Sequence, residues 1–530
     1  MRGGATMQRF KPLKFIIIFL FILLLFVTEV YLINRIDPAS VPSLARYIPF
    51  PGMWEVTLNI FSVIFASLVV FTAVVIFLER RDPAKTVAWL LILIFLPVMG
   101  FILYLTIGRQ FRKRRMVRKK AALNNYIYPL DESFSEHESG LPHLTRSKER
   151  LIRLILSNAN FPITLNNSLR VLTDGQEIFP AFMEAIKEAK KHIHLETYIL
   201  RDDQIGNEIK DLLIAKAKEG VKVRIIYDGL GSRKLGKKYL QELNQAGIET
   251  EPFFPVKLPF LHSKINYRNH RKILVVDGTT AFVGGINIGD EYLGRDPKIG
   301  YWRDTHLELR GNAVYFLQRI FLQDWYFVTR QALEEEFSGL FPVKEPCGNK
   351  VVQITASGPD TEWEAIMQVF YYAMATAEKS LYVTSPYFVP NESILTALKT
   401  AALSGVDVKL ILPAKPDHKI VFWASMSYME ELLETGVEVY LYHKGFIHAK
   451  TMMIDGIVST VGSANMDQRS FELNFEVNAF IYDEETTQRL EKDFFEDLKH
   501  CQQIDLETFK ERPLTNRFLE SGARLLSPLL

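Results

Sequence analysis

The sequence predicts an α/β protein made of two similar lobes, an internal duplication, preceded by a transmembrane helical region. Two observations carry this: four stretches of the chain recur in the same order, and three apolar runs crowd its N-terminal end. IHLETYIL (193–200) is answered by LYVTSPYF (381–388), and EGVKVRIIYD (219–228) by SGVDVKLILP (404–413). AGIETEPFF (246–254) is answered by TGVEVYLYH (435–443), and NHRKILVVDG (269–278) by IHAKTMMIDG (447–456). Within each half, β-branched and apolar runs alternate with helical stretches such as Gly206–Glu219 and Glu392–Leu403. That alternation reads as α/β units around a largely parallel or mixed sheet. The repeat is far too long for a solenoid, so the two copies are expected to face one another across a pseudo-twofold axis.

Taken from the N-terminus, the apolar runs are Phe15–Ile33 (interrupted by Glu29), Val56–Leu78 and Val87–Ile107. Each approaches the roughly 20 residues needed to cross a bilayer core. The first has a basic start (Arg2, Arg9, Lys11, Lys14) but no small-x-small cleavage site, so it reads as an anchor. The third contains Pro97 and Gly100 and is expected to kink or re-enter. Arg109–Lys120 (RQFRKRRMVRKK) holds eight basic residues and no acid, which places it, and the catalytic part after it, on the cytoplasmic side. Three full crossings would put the basic N-terminal tail on the opposite side, so one segment is expected not to span. The divisions expected are 1–55 (tail, first transmembrane helix and loop), 56–120 (transmembrane hairpin and basic stretch) and 121–150 (linker). The first lobe follows at 151–345, the second at 346–505 and a C-terminal tail at 506–530. The amphipathic stretch Arg512–Leu530 is expected to dock on the domain rather than lie on a membrane.

Composition narrows the function. The 530 residues are 48% hydrophobic, high for a soluble enzyme, and carry a net charge of only +2. No general polyanion-binding surface follows from that balance. The two cysteines, Cys347 and Cys501, lack metal-ligand spacing and cannot form a disulfide framework.

The chemistry sits in a constellation that occurs twice, His-x-Lys-x4-Asp-x6-Gly-Gly/Ser-x-Asn. The first copy is His270, Lys272, Asp277, Gly284, Gly285 and Asn287; the second is His448, Lys450, Asp455, Gly462, Ser463 and Asn465. A neutral imidazole can act as nucleophile or proton carrier, while Lys and Asn can hold phosphate oxygens. Two sets brought together supply two histidines and two lysines around one phosphorus, enough for metal-free exchange of a phosphodiester. Each motif opens a strand, where residues two apart share a face, so His270 and Lys272 point together, as do His448 and Lys450. Asp277 and Asp455 stand at an odd offset from their histidines and face the other way, which suits a structural role at the strand-to-turn transition. A nucleophilic imidazole needs a carboxylate to fix its tautomer. The following strands offer Asp304 and Glu476; the pairing expected is Asp304 with His270 and Glu476 with His448. Asn287 and Asn465, after glycine-bearing turns, are candidate phosphate donors. His262, His306, His418 and His443 have no repeated partner and read as core or surface histidines. Ser385–Pro390 reads as core, with an acyl or headgroup path as the alternative.

These paired motifs resemble those of the phospholipase D superfamily, and the chain is similar to its bacterial cardiolipin synthases from about residue 55 onward. RRDPAKTVAWLLILIFLPVMGFILYLTIGR (80–109) resembles that family's N-terminal hydrophobic segment, and RPLTNRFLESGARLLSPLL its C-terminus. The resemblance implies two phospholipase D-like lobes and transfer of a phosphatidyl group between two phosphatidylglycerols, giving cardiolipin and glycerol. It implies a phosphatidyl-histidine intermediate, no metal or other cofactor, and a multi-pass place in the bacterial plasma membrane. His270 is then the nucleophile and His448 the acid/base, although the near-symmetry of the repeat leaves this reversible. The family also counts Asp277 and Asp455 in the active site, against the parity reading. Hydrolysis of phospholipid is the main alternative. A nucleic-acid phosphodiesterase fits poorly with the apolar segments and near-neutral charge, and a non-catalytic scaffold fits poorly with two intact motifs.

Overall fold

The computed structural model describes residues 51–78, 83–104, 145–255, 266–333, 337–342, 346–361 and 363–527. The expected helix Phe15–Ile33, the basic stretch Arg109–Lys120 and His262 lie outside them. The chain divides after Gln110 into two compact units.

In the first unit, helix Pro51–Leu78 packs on Pro83–Phe95 and Pro97–Leu103. Pro97 has no N–H for an interior helical bond, and the chain breaks beside it at Leu96 (φ −134°), the interruption expected of the third apolar run. Ile76, Leu93 and Tyr104 make the small inner contact. Most of the remaining apolar surface faces outward, with Phe71 65%, Ile94 63% and Phe95 76% exposed. Among the described residues no helix is long and apolar enough to cross a membrane. The side chains of Pro51–Leu78 are described only from Ser62 onward.

The second unit holds both lobes. The first contributes β1 (Thr164–Thr173), β2 (His192–Thr197), β3 (Lys222–Asp228), β4 (Glu249–Phe253), β5 (Ile273–Val276), β6 (Thr280–Gly284), β7 (Tyr301–Arg303) and β8 (Thr305–Arg310). The second contributes β9 (Lys350–Ser357), β10 (Ser380–Thr384), β11 (Phe388–Val389), β12 (Asp407–Pro413), β13 (Glu438–Tyr442), β14 (Gly445–Ile447), β15 (Thr451–Ile454), β16 (Val458–Gly462), β17 (Met466–Asp467), β18 (Glu476–Tyr482) and β19 (Cys501–Gln503). A continuous 15-stranded mixed sheet runs β19-β13-β12-β10-β15-β16-β18-β9-β1-β8-β6-β5-β2-β3-β4. Outward from the β1/β9 seam, both lobes follow the same order, with β19 added at the second lobe's edge. The duplication is therefore a pseudo-twofold arrangement of two α/β lobes, as the repeats predict.

The seam is antiparallel, pairing Thr164 with Val352 and Asn167 with Lys350, and one apolar core continues through it from Val283 and Leu307 to Ile354 and Val477. Helix Arg146–Ala159 packs on β9 of the second lobe. Its Lys148 Nζ lies 2.7 Å from Asp455, and Gln353 donates to the Ile152 carbonyl at 3.1 Å. The division expected at residue 150 thus falls inside a helix that belongs with the second lobe. The C-terminal tail docks as expected, helix Leu514–Leu525 packing on helix Lys419–Met426.

Candidate active site

Each motif histidine is stitched by its backbone to the opposite lobe. His270 N donates to the Phe475 carbonyl at 2.9 Å, and Phe475 N to the Arg268 carbonyl at 2.9 Å. His448 N donates to the Arg303 carbonyl at 2.7 Å, where β14 runs parallel to β7 with Ile447 opposite Arg303. Phe475 and Arg303 immediately precede Glu476 and Asp304, so each carboxylate arrives beside the other lobe's imidazole. His270 Nδ1 lies 3.0 Å from both Glu476 oxygens, and His448 Nδ1 lies 2.7 Å from Asp304 Oδ2. The pairing expected from sequence, Asp304 with His270 and Glu476 with His448, is exchanged. Proximity along the chain suggested partners within a lobe, whereas the pseudo-twofold packing supplies them across it.

The two lysines share one geometry: Lys272 Nζ donates to the His270 carbonyl and Lys450 Nζ to the His448 carbonyl, each at 2.6 Å. All four side chains are buried. Burial pushes His270 down to about 4, with Lys272 and Lys450 adding to the effect and Glu476 opposing it. Burial and Lys450 take His448 to about 3, against the pull of Asp304. Because each histidine feels the lysines of both motifs, the two copies form one site. Burial holds the Lys450 ammonium down at about 8 and moves Lys272 well below its usual range. Asp304 and Glu476 stay below the ordinary carboxylate range although burial opposes it, because the facing histidine and a nearby lysine favour the anion. An anionic carboxylate only accepts hydrogen bonds, so Nδ1 of each neutral imidazole carries the proton and Nε2 keeps its lone pair. That is the state a nucleophile or general base requires.

Asp277 and Asp455 are not brought to the histidines. Asp277, in the left-handed region (φ 54°), accepts from the backbone N–H groups of Lys190, Lys191 and His192 at 2.8, 2.7 and 2.9 Å. Asp455 (φ 57°) accepts from Glu378 and Lys379 at 2.9 and 2.7 Å and pairs with Lys148. Each stands at the far end of its strand from the histidine, roughly 20 Å away at about 3.3 Å per residue. The active-site role implied by the resemblance is corrected accordingly: both aspartates pin the strand-to-turn transition, as parity predicts.

Asn287 accepts from Ile199 N at 3.2 Å and donates to the Tyr292 hydroxyl at 3.2 Å, while Asn465 donates to Asp467 at 3.1 Å. Both are buried on the turns after β6 and β16. Ser385–Pro390 is mostly core; its β11 pairs with β17 next to Asn465. Of the unrepeated histidines, His306 is buried and His418 and His443 are exposed. Sequence reasoning missed three residues. The Tyr198 ring meets His270 edge-on at 5.0 Å, and the Trp302 ring lies 5.0 Å from His448 while its indole N–H reaches Asp304 at 3.3 Å. Arg271 donates to the Glu476 and Ser357 carbonyls at 3.2 and 3.3 Å and pairs with Asp324, tying the second lobe's strand to the first motif. Trp302, two residues from Asp304 on one face, carried a readable signal; Tyr198 and Arg271 did not.

The profile described as "Cardiolipin synthase, PLD-like domain" matches residues 182–325 and 371–498, and "Phospholipase_D-nuclease N-terminal" matches 67–109. A "Cardiolipin synthase" of Geobacillus sp. (strain WCH70) is 50% identical over 88% of this chain and 93% of its own. The "Major cardiolipin synthase ClsA" of Bacillus subtilis (strain 168) is 44% identical over 88% of this chain and 98% of its own. The crystal structure of phosphatidylserine synthase from Haemophilus influenzae Rd KW20 superposes with a TM-score of 0.55 at 17% identity, over 73% of this chain and 100% of that one, and shares the fold. With both lobes matched and about half the residues shared with full-length relatives, this chain belongs to the cardiolipin synthase family of phospholipase D-like phosphatidyltransferases.

Proposed function

We propose that the chain joins two phosphatidylglycerols into cardiolipin and releases glycerol. The observation that carries this is the pair of imidazoles, each held through Nδ1 by a carboxylate of the opposite lobe. His270 Nε2 attacks the phosphorus of the first lipid; the P–N bond forms as the P–O bond to glycerol breaks. Lys272 and Lys450 face the charge that builds on the phosphoryl oxygens. The phosphate's own charge offsets the lysines that hold His448 down, so that imidazole can carry the proton delivered to the departing glycerol oxygen. It then takes a proton from the headgroup hydroxyl of the second phosphatidylglycerol, whose oxygen displaces His270 from phosphorus. Every proton and bond is returned. Asn287 and Asn465 border the phosphate.

The N-terminal unit is read as the membrane anchor, with the lobes on the cytoplasmic side. Its support is the outward-facing Val63, Phe71, Ile94 and Phe95, a surface that suits lipid and not water.

The test is a product assay on the purified full chain in mixed micelles with phosphatidylglycerol as the sole lipid. Cardiolipin and glycerol in equal amounts, lost in His270→Ala, are expected. Phosphatidic acid as the main product would replace the reading by phospholipid hydrolysis, and absence of product would overturn the substrate.

A further inference from the structure

Helix Leu514–Leu525 and the residues just before it are tied to the second lobe by ion pairs. Before the helix, Lys510 pairs with Glu434 and Arg512 with both Glu430 and the helix's own Glu520, at 2.9 Å each, and within it Arg524 pairs with Glu431 at 2.7 Å. The Arg524 guanidinium also lies 4.3 Å from the Tyr428 ring, and Glu520 and Ala523 are buried. This is a fixed element with a defined outer face. On that face stand Leu514, Phe518 and Leu525, which are 79%, 79% and 83% exposed. At about 100° per residue they form one stripe roughly 40° wide, opposite Ala523. The adjoining helix Lys419–Met426 adds Ile420, 47% exposed.

A rigid stripe of large apolar side chains in water implies something that covers it. A second copy is a poor occupant: three side chains on a short helix fall well below the roughly 800 Å² per partner of a standard interface. A bilayer needs less area and matches the charge. Arg517, Lys415 and Lys419 are exposed in this region, whereas the one acid of the helix, Glu520, is buried and paired. Helix Lys419–Met426 lines a depression with Tyr387, Pro416 and His418, and the Tyr387 hydroxyl donates to Asp417, whose charge reaches Lys450.

We propose that the Leu514–Leu525 helix is an interfacial contact with an anionic phospholipid bilayer. Leu514, Phe518 and Leu525 enter the acyl boundary, and Arg517, Lys415 and Lys419 sit among the headgroups. Independently of the N-terminal anchor, this turns that face of the second lobe toward its lipids. The inference rests on the lipid-transfer reading for its purpose but not for its test.

The test places a nitroxide at position 518 (Phe518→Cys) in the full chain with Cys347→Ser and Cys501→Ser, reconstituted in phosphatidylglycerol vesicles. The reference is the same label at Leu403→Cys, a residue 71% exposed at the end of another helix. The label at 518 is expected to collide with oxygen and to be shielded from a water-soluble nickel chelate, and the label at 403 to do the reverse. Equal aqueous exposure at both positions overturns the proposal, and so does spin–spin broadening that grows with protein-to-lipid ratio, the mark of a second copy. Neither result depends on which product the enzyme makes. In parallel, Leu514→Ser/Phe518→Ser/Leu525→Ser is expected to lower kcat/KM on vesicles about tenfold and leave turnover of monomeric short-chain phosphatidylglycerol unchanged. Equal losses on both substrates also overturn it.

Discussion

The two halves of the active site share a motif and differ in what surrounds it. His270 is oriented by a glutamate that accepts from Ser463 at 2.5 Å and Asn474 at 3.2 Å. His448 is oriented by a shorter aspartate that accepts from Thr305 N at 2.8 Å and the Trp302 indole at 3.3 Å. Where the second half has Ser463 the first has Gly285, and a Cβ there would come within 2.1 Å of Asp304 Oδ1. The glycine is the space the aspartate occupies; the serine is a donor the glutamate uses. The lesson is that the repeat fixes the reacting groups, while the difference between the two histidines lies in the motif's one variable position, Gly285 or Ser463, and in the carboxylates that flank the motifs. Sequence symmetry therefore does not imply functional symmetry.

The sharpest way to break the comparison is to remove one histidine at a time. His270→Ala and His448→Ala are each expected to reduce kcat by about 10,000-fold or more, as losing a member of a catalytic unit does. They separate on a second readout: His448→Ala retains some labelled phosphatidyl-enzyme, and His270→Ala retains none. The opposite pattern exchanges their roles.

Next in size are the carboxylates. Glu476→Gln and Asp304→Asn leave the shape but lose the charge that fixes the tautomer, a change that costs up to about 10,000-fold in comparable triads. Crossed pairing makes a specific demand on double mutants. Glu476→Gln adds little to His270→Ala, and Asp304→Asn adds little to His448→Ala. If Asp304→Asn instead couples to His270, the exchange between lobes is wrong.

The pH dependence tests both halves together. With His270 near 4 and His448 near 3, both are neutral across the physiological range, and the unfolded chain binds more protons than the folded one below about 6.5. Their contribution to stability is therefore present above 6.5 and lost as pH falls toward 4, so the melting temperature should drop across that window. His270→Phe/His448→Phe should flatten the drop. On the alkaline side kcat/KM is expected to decline as Lys450, held near 8, loses its charge. An alkaline limb unchanged in Lys450→Arg would remove that lysine from the account.

Asp277→Asn sharpens the contrast between motif residues that react and those that hold the strand. Loss of charge against three backbone donors is expected to cost roughly 1–3 kcal/mol of stability while kcat stays within a few-fold. Normal melting with a dead enzyme would restore the catalytic role that the resemblance implies.

How much of this could be read in the chain depends on the range of the cause. Strand parity is local, so the shared face of His270 and Lys272, and the displacement of Asp277 from it, were legible. The repeated order of LYVTSPYF and its partner segments gave the two lobes and their axis. Partner choice was not legible, because Asp304 reaches His448 only through β7 pairing with β14, a contact between chain segments that no periodicity links. The boundary expected at residue 150 cuts through helix Arg146–Ala159 for the same reason. Its amphipathic pattern says that one face is buried, not against which sheet, and Lys148 finds Asp455 across 307 residues of sequence.

Ser463→Ala gives the smallest effect and tests the comparison most directly. The hydroxyl donates to Glu476 and accepts from Val477 N at 3.0 Å, so its loss removes one hydrogen bond to a buried carboxylate. A bond to a charged group contributes about 1.5–3 kcal/mol, but Glu476 keeps Asn474 and His270 as donors, so a rate loss nearer tenfold than a thousandfold is expected. The loss should appear in formation of the phosphatidyl-enzyme, measured in a single turnover, and spare its transfer to the acceptor. If transfer slows and formation does not, Glu476 serves the acid/base step. The residue that distinguishes the halves would then assign His270 to proton transfer and His448 to attack.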